Sequence, residues 1–214
     1  MKKILLLLAL FTATSFLLKA QVRFGPEVGG NVAHYKLDAG FFAFSASSKP
    51  GVILGAIVEI PLSSHLYLRP GARYVSTSYD LNYTVFTLTG TINTIQLPVN
   101  LVYKTGSDDG NRFYISAGPY FAMNIVAEEH ITASKILSQW GVPENLDSVR
   151  NLSTGDLGIG ASAGYQFGSH FLLQAHFQKS YGHLFFDVQG VDVKNYNYGL
   201  SLAYLFGGGS HRRY

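Results

Sequence analysis

The sequence predicts an all-β protein, an eight-stranded antiparallel up-and-down transmembrane β-barrel. Apolar and polar residues alternate with a period of two through eight segments, which is the pattern of strands with two different faces. Short and long connections between these segments also alternate along the chain. Only 14% of the 214 residues are charged, against roughly 25% in an average soluble domain, so the composition favours a protein that contacts lipid.

Residues 1–20 have the features of a cleaved secretory signal peptide. Lys2 and Lys3 precede an apolar stretch at 4–18, and Ala20 supplies the small residue before the predicted cleavage point. The apolar stretch contains threonine and serine, which leaves its purely apolar core shorter than a membrane-spanning helix requires. The leader therefore predicts export and removal.

The rest of the chain is predicted to be one barrel domain, 21–206, followed by a flexible periplasmic tail, 207–214. Beyond residue 20, 13 Lys and Arg residues are matched by 13 Asp and Glu residues, so the mature chain is nearly neutral and no nucleic-acid partner is predicted. The sequence contains no cysteine, which excludes disulfides, cysteine zinc sites and a thiol nucleophile.

The alternation defines the strands in order. In the first strand, 23–35, Arg23 and Glu27 share one face, while Val28 and Val32 share the other. The second segment, which is apolar on both faces until its ninth residue, has the weakest alternation. The remaining strands are predicted at 51–61, 66–78, 94–104, 112–125, 156–167, 170–178 and 195–206. Each strand has about ten or more residues, which is the length that a tilted strand needs to cross a bilayer.

The connections fall into two classes. Short turns rich in Gly, Ser and Asp are predicted at 63–64, 105–110 and 168–169, and long loops at 36–50, 80–90, 128–153 and 182–194. Short turns on one rim and long loops on the other are typical of outer-membrane barrels, with both chain termini on the short-turn side. The longest loop also carries weak helix signals at 134–140.

The apolar face of each strand is predicted to contact outer-membrane lipid. A soluble, lipocalin-like carrier would turn this face inward, and it is the alternative fold. Two features favour the membrane barrel. Aromatic residues lie near the ends of the apolar faces, as in the interface girdles of membrane barrels, and Lys is scarce among the residues that a soluble barrel would expose.

The polar face carries a set of charged residues that would line the lumen. Charges in a narrow lumen must be paired, because unpaired charges carry a large desolvation cost. We therefore predict a stabilising salt-bridge network of Arg23, Glu27, Glu59, Arg69, Arg73, Lys104 and Arg112. Tyr114, Gln166 and Gln174 point to the same side. Eight strands enclose a space that side chains fill, so no steady open pore is expected.

No residue pattern predicts catalysis, a metal or a cofactor. His170 and His176 share a face but lie about 20 Å apart along a strand, too far to bind one metal without ligands from other strands. No Gly-x-Ser-x-Gly elbow occurs, and the glycines at 155, 158 and 160 lie within a strand with no helix after them. The remaining alternatives are a lipid-modifying enzyme with His34 or His183 at the outer rim, and a small-solute channel.

The last strand carries a pattern that resembles the signal by which barrel-insertion machinery recognises its substrates. The pattern is a polar residue, a glycine and spaced apolar or aromatic residues, here Asn197, Gly199, Leu202, Tyr204 and Phe206. Such signals usually end at the C-terminus, whereas this chain continues for eight further residues, 207–214. On the strength of the pattern itself, we expect the insertion machinery to be a partner during assembly.

Several short motifs together resemble one family. They are Leu97-Pro98, Ala117-Gly118-Pro119-Tyr120, Gly158-Ile159-Gly160-Ala161, Gly164-Tyr165 and Tyr204-Leu205-Phe206. These motifs are similar to those of the small outer-membrane β-barrels of Bacteroidetes called PorT-like, and the Lys19-Ala20-Gln21 junction resembles the signal-peptidase sites of that phylum. The absence of a catalytic pattern predicts a non-catalytic protein, and the resemblance implies an integral protein in the outer membrane of a Gram-negative bacterium. It also implies envelope or secretion partners that bind the long loops or periplasmic turns.

Overall fold

The computed structural model describes residues 22–39, 42–45, 47–82, 86–106, 110–133, 145–181 and 192–207. These residues form nine β-strands. The strands are β1 (Arg23–Ala39), β2 (Phe42–Ser45), β3 (Ser47–Pro61), β4 (Leu66–Asn82), β5 (Phe86–Lys104), β6 (Arg112–Ala133), β7 (Asn145–Phe167), β8 (Phe171–Ser180) and β9 (Asp192–Tyr204). No helix among the described residues has the length and hydropathy needed to cross a membrane.

The strands form a closed barrel in which every neighbouring pair is antiparallel. From β3 to β9 each strand pairs with the next one in sequence, and β1 pairs with both β3 and β9. The short strand β2 pairs with β1 at 36–39, beyond the residues of β1 that pair with β3. Strands β2 and β3 therefore share one position, and the nine segments make the predicted eight-stranded up-and-down barrel.

Side-chain alternation places the apolar face outside the barrel. Along β8, exposed and buried residues alternate strictly from Phe171 to Gln178. Large apolar side chains cover the outer surface: Phe113, Ile115, Leu157 and Leu200 are 62–68% exposed. Such a surface requires an apolar solvent, so the structure confirms the transmembrane fold and contradicts the lipocalin-like alternative.

The two rims of the barrel differ. The ends of the barrel where β3 is followed by β4, β5 by β6 and β7 by β8 form one rim, which we call the turn rim, and the opposite end is the loop rim. At the turn rim Gly106 and Gly168 have φ values of +93° and +56°, a region that glycine occupies without steric cost. Phe171, Tyr204 and Phe206 form edge-to-face contacts there, with ring centroids 4.8 Å apart.

The strands extend beyond the predicted ends at the loop rim, which corrects three of the predicted loops. Strand pairing continues through most of 36–50 and 80–90 and through 128–133 and 145–151 of the longest predicted loop. Apolar and polar residues alternate less clearly in these segments, so the sequence pattern did not reveal them as strands. Outside the lipid, the hydrogen bonds between strands form without this alternation. The predicted leader, the helix signals at 134–140 and residues 208–214 of the predicted tail lie outside the described residues.

Candidate functional site: an ion network across the lumen

The structure places all seven predicted charged residues inside the barrel, where none is more than 7% exposed. They come from five strands: β1, β3, β4, β5 and β6. The charged groups gather in the half of the lumen nearer the turn rim, because most of them lie within a few residues of a strand end at that rim. The pairing register already aligns Arg23 with Glu59 on neighbouring strands.

Glu59 is the centre of the network and is completely buried. Its Oε1 accepts hydrogen bonds from Arg23 Nη2 and from Lys104 Nζ, the latter at 2.7 Å. Its Oε2 accepts from Arg69 through Nη2 at 2.7 Å and Nε at 3.2 Å. One carboxylate therefore pairs with three cations, and the ion pairs join β1, β3, β4 and β5.

Glu27 is the second carboxylate of the network. Arg73 donates from Nε to Oε2 at 2.7 Å, while Gln174 and Ser201 donate to Oε1 at 2.5 and 2.6 Å. Gly55 is the register partner of both Glu27 and Arg73, and it lies between them on β3. A Cβ at this position would lie 2.9 Å from Arg73 Cγ, so the missing side chain of the glycine makes room for the ion pair.

Uncharged side chains connect the two carboxylate clusters. The Gln174 amide oxygen accepts from Tyr114 at 3.1 Å and from Arg69 at 3.5 Å, while its nitrogen donates to Glu27. Lys104 also donates to Gln166 Oε1 at 2.6 Å. With these residues, the network takes at least one side chain from each of the eight positions around the barrel. It spans the full width of the lumen.

Two tyrosines complete the packing of the charged groups. Arg69 lies over the Tyr114 ring and Lys104 over the Tyr67 ring, at 4.7 and 4.6 Å from the ring centroids. Arg112 donates to the Tyr67 hydroxyl at 3.0 Å, which is how it contacts the network. Tyr67 was not predicted to belong to the network, although its position two residues before Arg69 puts it on the same strand face.

The lumen nearer the loop rim is polar but carries less charge. His176, Asn31 and Asn197 lie on the adjacent strands β8, β1 and β9, and all three are buried. The His176 ring nitrogens and the two asparagine Oδ1 atoms have no hydrogen-bond partner among the described protein atoms. A cavity of about 10 Å³ beside Arg73 and His176 has room for about one water molecule. Around Arg73 and His176, the side chains therefore leave little more space than one water molecule needs.

The histidines do not converge on a metal or catalytic centre in the described part of the chain. No group of three or more His, Asp or Glu residues there could hold a metal ion. His34 is exposed on β1, and His65 contacts Ser64 at 2.9 Å in an exposed turn. His170 Nδ1 lies 2.8 Å from the Leu205 carbonyl oxygen, which gives this side chain a structural partner. His183 lies outside the described residues, as does the side chain of His130.

The predicted C-terminal signal forms part of the barrel seam. Leu202 and Phe206 are about half exposed on the outer surface, while Asn197 is buried in the lumen and Gly199 lies against the His176 ring. Phe206 exchanges two backbone hydrogen bonds with Phe24, at 3.1 and 2.7 Å. The pattern therefore spans both faces of the closing strand, and its role as a signal remains a prediction.

The solved structures that are similar to this chain include three outer-membrane proteins. The Ail protein of Yersinia pestis is 14% identical with a TM-score of 0.47, and the alignment covers 87% of this chain and 99% of that one. OprG of Pseudomonas aeruginosa is 12% identical with a TM-score of 0.45, covering 89% and 98%. The Neisserial surface protein A is 14% identical with a TM-score of 0.43, covering 85% and 97%.

A search of curated protein sequences gave no significant match. A family model does match, over residues 15–185, and its description is an outer membrane protein β-barrel domain. That span is most of the chain and includes the network residues on β1 to β8. The chain therefore belongs to the outer membrane protein β-barrel domain family.

Proposed function

We propose that this protein is a non-catalytic, non-conducting component of the cell envelope, inserted in the outer membrane of a Gram-negative bacterium after cleavage of its leader behind Ala20. In this proposal the turn rim faces the periplasm and the loop rim faces outward, as in other outer-membrane barrels. The protein acts through contacts made by its rims. The side chains in the lumen stabilise the fold of the barrel.

The observation that carries the proposal is the network across the lumen. It takes side chains from all eight positions around the barrel and centres on the fully buried Glu59. Loss of this carboxylate would leave three buried cations without their shared partner, which costs several kcal/mol. The network is therefore expected to stay closed, and a steady solute path has no room to form.

The partners follow from the surface and from the family resemblance. The apolar outer face binds membrane lipid, and the closing strand is proposed to bind the insertion machinery during assembly. The PorT-like resemblance supports envelope or secretion proteins of a Bacteroidetes cell as partners at the rims. This last assignment rests on analogy with the family.

Fractionation and crosslinking of native membranes test the proposed location and role. The mature protein should begin at Gln21, resist carbonate extraction and migrate faster on gels when unheated, because a closed barrel stays folded in detergent. A photo-crosslinker at Ser64 in the turn rim should capture a discrete protein partner, whereas one at Leu157 on the outer face should capture lipid. Recovery in the soluble periplasm would contradict the location, and crosslinks from Ser64 to lipid alone would contradict the interaction role.

An activity assay tests the non-catalytic part. The purified barrel, incubated in mixed micelles with radiolabelled phospholipid, should leave the acyl chains in place. Release or transfer of acyl chains that disappears in a His34→Ala variant would establish the lipid-modifying alternative instead.

A further inference from the structure

Charged side chains are distributed very unevenly between the two faces of the barrel. Ten charged residues have described side chains, and eight of them are buried in the lumen: the seven network residues and Asp156. The other two, Lys49 and Lys179, are not buried. Because a cation that faces lipid is costly, a lysine on the outer face calls for an anionic partner or access to water.

Lys179 lies on the outer face of β8, close to the loop rim. It follows Phe177 on the same face and pairs with Ile159 on β7 and Tyr196 on β9. From Phe171 at the turn rim, the strand rises about 26 Å over these eight residues, or roughly 20 Å along the membrane normal for a strand tilted by about 40°. Since the apolar band of a membrane barrel is about 25 Å tall, Lys179 lies near its outer boundary.

One aromatic ring contacts the ammonium group, and three more cluster beside Lys179 on β8 and β9. Lys179 Nζ lies 5.1 Å from the ring centroid of Tyr181, which is 66% exposed. Phe177 stacks on Tyr196 at 6.2 Å and packs against Tyr198 at 5.1 Å. The cation–π contact stabilises the charge but leaves N–H donors of the ammonium available for an acceptor. No ion pair seen among the described residues involves Lys179.

An apolar groove begins directly below Lys179, towards the turn rim. Phe177 and Tyr198 form one wall, and the alanines of β6, β7 and β8 form the floor: Ala117, Ala161, Ala163 and Ala175. Its volume is about 770 Å³. A second groove of about 630 Å³ shares Ala163 and Ala175 with it and continues towards Phe113. Together they make a continuous, largely apolar groove on the outside of the barrel, and its lining residue Phe177 lies two residues before Lys179 on the same strand face.

We propose that Lys179 and this groove bind one phosphate-bearing acylated lipid. The ammonium of Lys179 pairs with a headgroup phosphate oxygen, and one acyl chain lies along the alanine floor beside Phe177. The combination selects an anionic amphiphile. The cation needs an anion at the membrane boundary, and the groove offers mostly apolar contact to an acyl chain. The inference depends on membrane insertion and not on the proposed absence of conductance.

Native mass spectrometry of the purified barrel in a neutral detergent tests this site. The probes are phosphatidylglycerol and phosphatidylcholine with identical acyl chains. We expect one retained phosphatidylglycerol per barrel, with an affinity about tenfold lower in Lys179→Gln, as for the loss of one charge-assisted contact. Lys49→Gln is the matched control, since it removes the other exterior lysine on the distant strand β3, and it should bind like the wild type.

The groove is tested separately by filling it. Ala175→Leu should weaken phosphatidylglycerol retention several-fold, whereas Ala72→Leu, an exposed alanine on β4 outside the groove, should not. Faster gel mobility of the unheated protein verifies that each variant is folded. Equal retention of the two lipids by the wild type, or equal losses in Lys179→Gln and Lys49→Gln, would overturn the proposal.

Discussion

Arg69 donates to a single oxygen of Glu59 through two nitrogens, Nη2 at 2.7 Å and Nε at 3.2 Å. The two residues lie on the neighbouring strands β4 and β3, joined by the turn at 62–65, and both are buried in the lumen. Arg23 and Lys104 hold the other oxygen of the carboxylate. Glu59 thus fixes the relative positions of four strands near the turn rim.

Glu59→Gln should destabilise the barrel by about 3–5 kcal/mol, because it leaves three buried cations without their shared carboxylate. The change can be measured as a lower urea midpoint for loss of the fast-migrating folded band in lipid vesicles. Lys49→Gln is the control: it also changes one charge, but outside the lumen, and should shift the midpoint little. Equal midpoints for Glu59→Gln and the wild type would show that the network does not stabilise the fold.

Gly55→Ala should destabilise the barrel by at least about 1 kcal/mol and weaken the pairing of Arg73 with Glu27. An added Cβ would lie 2.6 Å from the Ala72 carbonyl oxygen and 2.9 Å from Arg73 Cγ. Gly30→Ala provides the matched control, because the nearest atom to a Cβ there is 3.5 Å away. Gly30→Ala is therefore expected to be neutral or slightly stabilising in the same unfolding assay. A similar effect of both substitutions would contradict the tight approach at Gly55.

Leu202→Ala tests whether Leu202 acts as part of the proposed assembly signal or only contributes apolar contact with lipid. Both Leu202 and Leu200 are more than half exposed on the outer face of β9, but only Leu202 belongs to the predicted signal. We expect Leu202→Ala to reduce the amount inserted in cells several-fold while leaving refolding into pure lipid vesicles unchanged. Leu200→Ala should affect neither quantity. Normal insertion of Leu202→Ala would remove the evidence for a signal at that position.

Deletion of residues 208–214 should leave the barrel intact. The backbone hydrogen bonds between Phe206 and Phe24 close the barrel, and both residues lie outside the deleted segment. Outer-membrane abundance and the urea midpoint should therefore match those of the full chain. A lower abundance with an unchanged midpoint would show that the predicted tail acts in assembly.

The alternation of side chains was sufficient to predict the fold and the inward position of the charged residues. Parity alone places Arg69 and Arg73 on one face, and in a barrel that face must be either the lumen or the lipid surface. Composition then decides between the two, because so many charges cannot face lipid. Tyr67 has the same parity as Arg69, so the same rule would have found it.

The partners within the network could not be predicted in the same way. Lys104 and Glu59 are 45 residues apart and lie on strands that are not neighbours, so their contact depends on the stagger of the whole barrel. Gln174 and Glu27, 147 residues apart, meet only because β9 closes the barrel against β1. The strand ends at the loop rim were also missed, since side-chain alternation marks only the part of a strand that crosses lipid.

The central claim is that side chains seal the lumen, and single-channel recording across planar bilayers tests it most directly. We predict no stable unit conductance steps from the wild-type protein over repeated insertions. The triple variant Glu59→Ala, Arg69→Ala and Gln174→Ala removes the centre of the network. If it folds, it should show frequent channel openings. These openings also serve as the positive control, because they show that the recording detects inserted barrels. Stable, uniform conductance steps from the wild-type barrel would contradict the account and make a small-solute channel the better assignment.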